Sequence, residues 1–357
     1  MSSKRSSTNE LTQALLSNCI DAIQDLESIC VFSRDGLLIG MKERGSLIGA
    51  FNKIKDDVRR DQEVVLQGLS AVVQSTLNRI SKEYPGTFGT GTFETEDHRL
   101  VFTESGKEGI LLCVFKAEAN LQQLMPYVFL ISEKVASIIE GTFTEYHTLS
   151  IPSLELDESF NIHHESLFTE YGFTPGKTEY RFKLIVLGDE AVGKTSVINS
   201  FVLTKFVDDY RPTLGISITN QSFYINGIKN AKINFQIWDL AGQKFFKRIR
   251  KHYFKGSHAV FIMYDISNRE SFDHVEQWYM DLNEEVPNIP CILVGNKVDL
   301  IEDRKVSFEE GKEKAKRLRM TFMETSAKTG QNVRDLFSLL GVGLFFKQQA
   351  IIEEEET

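Results

Sequence analysis

The 357-residue sequence is poor in proline, with 7, and in cysteine, with 4. It also lacks any apolar run approaching the ~20 residues needed to span a bilayer, which excludes a membrane-crossing helix. With 41% hydrophobic and 25% charged residues and 24 glycines, it is neither collagen-like, low-complexity nor disordered. Cys19, Cys30, Cys113 and Cys291 lie far apart without a CxxC pair. That spacing excludes a zinc ribbon and a disulfide framework, and it leads us to expect free, buried thiols in a reducing cytoplasm. The opening segment carries Lys4 and Arg5, but Asn18, Asp21, Gln24 and Asp25 break up the apolar residues beyond it, so no signal peptide is expected. Ser2 stands where myristoylation needs glycine, and Glu353-Glu354-Glu355-Glu356-Thr357 offers no prenylation cysteine, so no direct lipid anchor is expected.

A surplus of positive charge is also missing. The net charge is −9, and residues 1–177 hold 16 Lys and Arg against 25 Asp and Glu, whereas residues 178–357 hold 25 of each. An acidic half argues against nucleic acid as a partner, because phosphate binding needs cationic surplus. The charge asymmetry and the length together predict two domains.

The C-terminal half alternates strand and helix signals. Apolar runs at 181–188, 232–238, 259–264, 290–295 and 321–324 read as buried strands, and amphipathic segments at 271–282, 307–318 and 333–346 read as helices. This pattern predicts an α/β fold, a mostly parallel sheet with helices on both faces. The N-terminal half reads as α+β, in the order helix, two strands, helix, three strands, helix. Its helices are expected near 11–26, 66–80 and 121–139, and its strands at 28–33, 36–40, 88–94, 99–103 and 109–115. Asp35-Gly36 marks the first hairpin. Residues 42–61 suggest a further short helix. The expected domains are therefore 1–141 and 180–348, with an acidic, aromatic-containing linker at 142–179 and an acidic tail at 349–357.

Gly188-Asp189-Glu190-Ala191-Val192-Gly193-Lys194-Thr195 matches G-x-x-x-x-G-K-[ST] between a strand and a helix. Glycines let backbone N–H groups converge on phosphate oxygens at a helix N-terminus, the lysine supplies charge to the β and γ phosphates, and the threonine hydroxyl suits Mg²⁺. Asp239, at the end of an apolar strand, begins Asp239-Leu240-Ala241-Gly242-Gln243. There Asp239 is expected to hold Mg²⁺, Gly242 to donate to the γ phosphate and Gln243 to orient water. Asn296-Lys297-Val298-Asp299 comes directly after the 290–295 strand. A carboxylate accepts from both N1–H and the N2 amine of guanine, a donor pair adenine does not offer, so Asp299 selects a guanine base. Ser326-Ala327-Lys328 completes the base pocket, with the Ala327 N–H facing O6.

These motifs, in this order, resemble a small GTPase of the Ras superfamily, most closely its Rab branch, over about residues 180–346. The resemblance implies that Gly188, Asp189, Glu190, Ala191, Val192, Gly193, Lys194, Thr195 and Ser196 form the phosphate loop and that Phe206 stacks on the base. It further implies that Tyr210 and Thr213 belong to the first switch, with Thr213 binding Mg²⁺ beside Thr195 and Asp239. Asn296, Lys297, Asp299, Ser326, Ala327 and Lys328 match the base-reading motifs. Lys194, Thr213 and Gln243 are the expected catalytic residues, with GTP and GDP as ligands and Mg²⁺ as cofactor. Glu190 and Ala191 depart from the usual glycine or serine. The first half resembles a roadblock (dynein light chain type) domain, which implies dimerisation or a roadblock-type partner and cis regulation of the GTPase. The expected function is a GTP-hydrolysing switch, and the alternative is a nucleotide-stabilised assembly scaffold. A basic, aromatic segment, Lys244 to Lys251, reads first as a solvated switch helix and alternatively as a docking surface for the acidic first half.

Overall fold

A computed structural model describes residues 2–44, 89–94, 97–144, 147–152, 179–204, 215–226, 231–240 and 253–356. The N-terminal unit contains α1 (Ser2–Ala22), β1 (Leu26–Ser33), β2 (Leu38–Glu43), β3 (Thr90–Glu94), β4 (His98–Ser105), β5 (Gly109–Lys116) and α2 (Leu121–Ile139). Among the described residues these strands form a five-stranded sheet in the order β2-β1-β5-β4-β3, with every pairing antiparallel. The period of two explains its two apolar faces. Ile29, Val31, Val101, Leu111 and Cys113 join the side packed by α1 and α2, whereas Cys30, Phe32, Phe102, Ile110 and Leu112 form a separate cluster on the other. Gly36 takes φ +89 at the hairpin, the left-handed backbone the Asp35-Gly36 signal anticipates. The helix expected at 42–61 does not begin there, since Lys42 and Glu43 belong to β2; residues 45–61 and the helix expected at 66–80 lie outside the described residues. All four cysteines are buried thiols, and burial pushes those of Cys19 and Cys30 up to about 12, so neither is a ready nucleophile at neutral pH.

The C-terminal unit runs β6 (Glu179–Gly188), α3 (Lys194–Leu203), β7 (Ile216–Tyr224), β8 (Lys232–Leu240), β9 (Ala259–Asp265), α4 (Arg269–Asp273), α5 (Val275–Asn283), β10 (Cys291–Asn296), α6 (Phe308–Arg317), β11 (Thr321–Thr325) and α7 (Val333–Glu356). Its six-stranded sheet has the order β11-β10-β9-β6-β8-β7 and is parallel except for β7, which pairs antiparallel with β8. Leu184 and Val186 of β6 face α3 and α7, while Ile185 and Leu187 face α4, α5 and α6. The strand order reverses at β6, so a crevice opens where β6, β8, β9 and β10 end, the place where open α/β sheets bind ligands.

In the C-terminal unit three features differ from expectation. Strand β7 is additional to the expected strands, because its polar run is an edge with only alternate residues partly covered. The single helix expected over 271–282 is two, broken at His274, with the Asn268 side chain capping Ser271 N at 3.3 Å. Helix α7 continues to Glu356, through the segment expected to be a tail; propagation adds one bond per residue, and Gln and Glu are good helix formers. Elsewhere Ser307 caps α6 in a full capping box, Ser307 Oγ accepting from Glu310 N and the Glu310 carboxylate accepting from Ser307 N. Ser307→Ala should lower stability by about 1 kcal/mol, measurable by urea denaturation.

The two units share one continuous core rather than meeting through a free linker. Helix α2 lies along α7, with the rings of Phe129 and Phe346 5.7 Å apart. Lys134 Nζ donates to both carboxylate oxygens of Asp335 at 2.8 Å, with both side chains buried, and Glu133 pairs with Arg334 at 2.7 Å. Residues 147–152, expected to be linker, run alongside: Asn18 Nδ2 donates to Leu149 O, and Ile151 is buried. Among the described residues the acidic half contacts α7, and Lys244 to Lys251, the segment expected to dock, lie outside the described residues.

Candidate nucleotide site

The phosphate-loop motif leaves β6 at Gly188, whose φ of +137 is accompanied by close approach to β9. A Cβ there would lie 2.3 Å from Met263 O, so both the backbone conformation and the available space demand glycine. Ala191 (φ +63) and Gly193 (φ +99) turn the backbone twice more before α3 begins. Gly193 is the N-cap and brings no side-chain cap to the first turn of α3, a helix N-terminus suited to an anion. Lys194 is buried over this loop, its Nζ donating to Gly188 O at 2.9 Å and Asp189 O at 2.7 Å.

The Asp189 side chain turns away from the loop. Its carboxylate is turned to α5, where Oδ2 meets His274 Nδ1 at 2.6 Å and Oδ1 accepts from Trp278 Nε1 at 2.8 Å. The side chain therefore anchors the loop, and only the backbone at Asp189 belongs to the anion cradle. Sequence reading missed His274 and Trp278, which stand 85 and 89 residues away. Glu190 is exposed at the loop tip, Val192 is buried, and Ser196 is half-buried in the first turn of α3.

Asp239, the penultimate residue of β8, is almost wholly buried, and its Oδ2 accepts a hydrogen bond from Thr195 Oγ1. A hydroxyl and a carboxylate oxygen brought together beside a phosphate cradle make the hard-oxygen donor set that Mg²⁺ prefers, so these residues fit that cation. Phe206, Tyr210, Thr213, Gly242 and Gln243 lie outside the described residues.

The base-reading motifs meet at Asn296, buried at the end of β10. Its Nδ2 donates to Val192 O at 2.9 Å, and its Oδ1 accepts from Ala327 N and Thr325 Oγ1, each at 3.2 Å. One amide thus ties the phosphate loop to the loop after β11. Lys297, at φ +70, pairs with Asp265 Oδ2 at 2.6 Å. Asp299 Oδ1 accepts from Ser326 Oγ at 2.5 Å, and that hydroxyl accepts from Thr329 N. Ser326 and Ala327 are buried, whereas Lys328 is exposed. Phosphate loop, Thr195, Asp239, Asn296, Asp299, Ser326 and Ala327 are therefore gathered at one end of the sheet.

Residues 183–343 match the Ras family. The match supports an α/β P-loop GTPase fold for the C-terminal unit, whose sheet is mixed.

Proposed function

From the match of residues 183–343 to the Ras family, we propose that this protein is a Rab-like molecular switch that binds GTP or GDP with Mg²⁺ and hydrolyses GTP. The observation that carries the reading is Asn296, whose amide joins the phosphate loop at Val192 to the base-reading loop at Ala327. A site built this way holds the base and the phosphates in one rigid frame.

Lys194 and the backbone N–H groups from Gly188 to Ser196 receive the β and γ phosphates. Asp299 accepts from the guanine N1–H and N2 amine while Ser326 holds its carboxylate, and the Ala327 N–H faces O6. Lys297 lines the base site, Lys328 stands at its exposed rim, and Phe206 stacks on the ring. Thr195 and Asp239 hold Mg²⁺, joined in the GTP state by Thr213. When bound, Mg²⁺ neutralises charge on the phosphate oxygens. Gln243 orients the attacking water, and Thr213, Tyr210 and Gly242 order the switches around the γ phosphate. Turnover is slow without a partner arginine.

In single-turnover assays of the full chain, Gln243→Leu should retain GTP and hydrolyse it at least about tenfold more slowly. Undiminished hydrolysis would remove Gln243 from the mechanism. The N-terminal unit is read as roadblock-like: it dimerises or binds a roadblock-type partner in the cytoplasm and acts on the GTPase in cis. The core it shares with α7 also favours a second reading, a nucleotide-stabilised scaffold. Wild-type protein that binds GTP without ever hydrolysing it would select the scaffold.

A further inference from the structure

The loop that carries Ser326 and Ala327 is pinned at both ends, and only one of the two anchors belongs to the nucleotide site. Asn296 holds its beginning through Ala327 N. Its end is fixed by its own closure and by the N-terminal unit. Ser326 N donates to Gln331 O at 3.0 Å, so the position of Gln331 sets that of Ser326. The next residue, Asn332, adopts φ +57 and donates through Nδ2 to Glu324 O at 2.9 Å. Its Oδ1 accepts from Ser150 Oγ at 3.4 Å, a contact from the strap between the two units. One turn further along α7, Asp335 receives the Lys134 ammonium, which also donates to Thr148 O of the same strap at 2.7 Å. Arg334 and Ser338 both bond Glu133, at 2.7 and 2.8 Å. The first turn of α7, which leads directly out of the base-reading loop, is thus held by charged residues of α2 and by the strap.

We infer that Lys134 and Ser150 are positioning residues for guanine recognition: the N-terminal unit braces the base-reading loop and sets how tightly the base is held. The inference rests on the guanine-site reading above. Lys134 is buried with three acceptors around one ammonium, an arrangement with a single satisfied geometry, and an ion pair broken on one side leaves a stranded buried charge. Displacement of the first turn of α7 moves Gln331 O, then Ser326, and with Ser326 the carboxylate of Asp299 and the N–H of Ala327. The phosphate loop, joined to the base-reading loop through Asn296, has further anchors of its own in His274 and Trp278 on Asp189, so it depends less on this brace.

The brace therefore acts on base reading more than on phosphate binding, which distinguishes it from a general loss of fold. The test uses the full chain loaded with a fluorescent GDP in the presence of Mg²⁺. Release is monitored after addition of excess GDP, and affinities for GDP and IDP are measured in parallel; IDP lacks the N2 amine that Asp299 accepts from. Lys134→Met should release GDP about tenfold faster and lower the GDP-to-IDP affinity ratio severalfold, within the usual size of coupling between sites. Ser150→Ala, which leaves the buried ion pair intact, should shift both quantities in the same direction by about two- to threefold. Lys134→Met that melts like wild type yet keeps the wild-type release rate and affinity ratio overturns the inference. If Lys134→Met does not fold, an unchanged ratio in Ser150→Ala overturns it. A wild-type chain that binds neither nucleotide overturns the guanine-site reading itself, and the brace with it.

Discussion

Asn296→Ala is expected to lower folding stability by about 3 kcal/mol and to remove measurable GDP binding. Three buried partners lose their hydrogen bonds together: Val192 O, Thr325 Oγ1 and Ala327 N. Each stranded buried polar group costs about 1–3 kcal/mol, and alanine supplies no substitute. The phosphate and base loops would then settle independently, so the loss of affinity should exceed that from removing any one nucleotide contact. Asn296→Asp separates the two effects. It retains an acceptor for Ala327 N but sets a carboxylate oxygen against Val192 O, so it should weaken GDP binding even where the base loop stays ordered. Urea denaturation and fluorescent-GDP titration of the full chain measure both quantities, and an Asn296→Ala protein with wild-type affinity would refute the keystone role.

Lys194→Ala is expected to weaken GTP and GDP binding by at least about 100-fold, equivalent to about 2.7 kcal/mol. The ammonium lies over the loop on the carbonyls of Gly188 and Asp189, so it is already placed where phosphate oxygens would collect. Charge-assisted hydrogen bonds to phosphate are among the strongest a side chain can make, and a buried ammonium gives up less to solvent competition. Lys194→Met retains the length of the stem and removes the charge, so a loss as large as in Lys194→Ala assigns the effect to charge. Titration calorimetry provides the comparison, and near-wild-type affinity in both variants would place phosphate recognition elsewhere.

Much of the C-terminal unit is legible in the sequence because parallel strands covered on both faces are written as apolar runs. Residues 259–265 are buried throughout, and their sequence reads as a strand without help from context. The phosphate loop is equally plain, since glycine at φ +137 against Met263 O tolerates no other residue. The features hidden from the sequence depend on long-range contact or on an exposed edge. Strand β7 alternates polar and partly covered residues, a weak local signal that only pairing with β8 turns into a strand. Asp189 reads as a phosphate-loop residue, and nothing near it announces that His274 and Trp278 claim its carboxylate. Lys134 and Asp335 lie 201 residues apart, so no periodicity could pair them. The acidic first half suggests docking by surface charge, whereas the described contact is an apolar helix pair that encloses the ion pair of Lys134 and Asp335.

The proposed switch requires that one end of the C-terminal sheet hold a guanine nucleotide with Mg²⁺. The most direct measurement titrates the full wild-type chain, stripped of nucleotide, with fluorescent GDP and fluorescent ADP, each with Mg²⁺ and with chelator. Asp299 and Ala327 predict binding of GDP at least about 100-fold tighter than ADP, because a site built for a particular set of donors rejects the base that lacks them. The convergence of Thr195 and Asp239 predicts that chelator weakens GDP binding. Equal affinity for the two nucleotides, or GDP binding indifferent to Mg²⁺, would contradict the account.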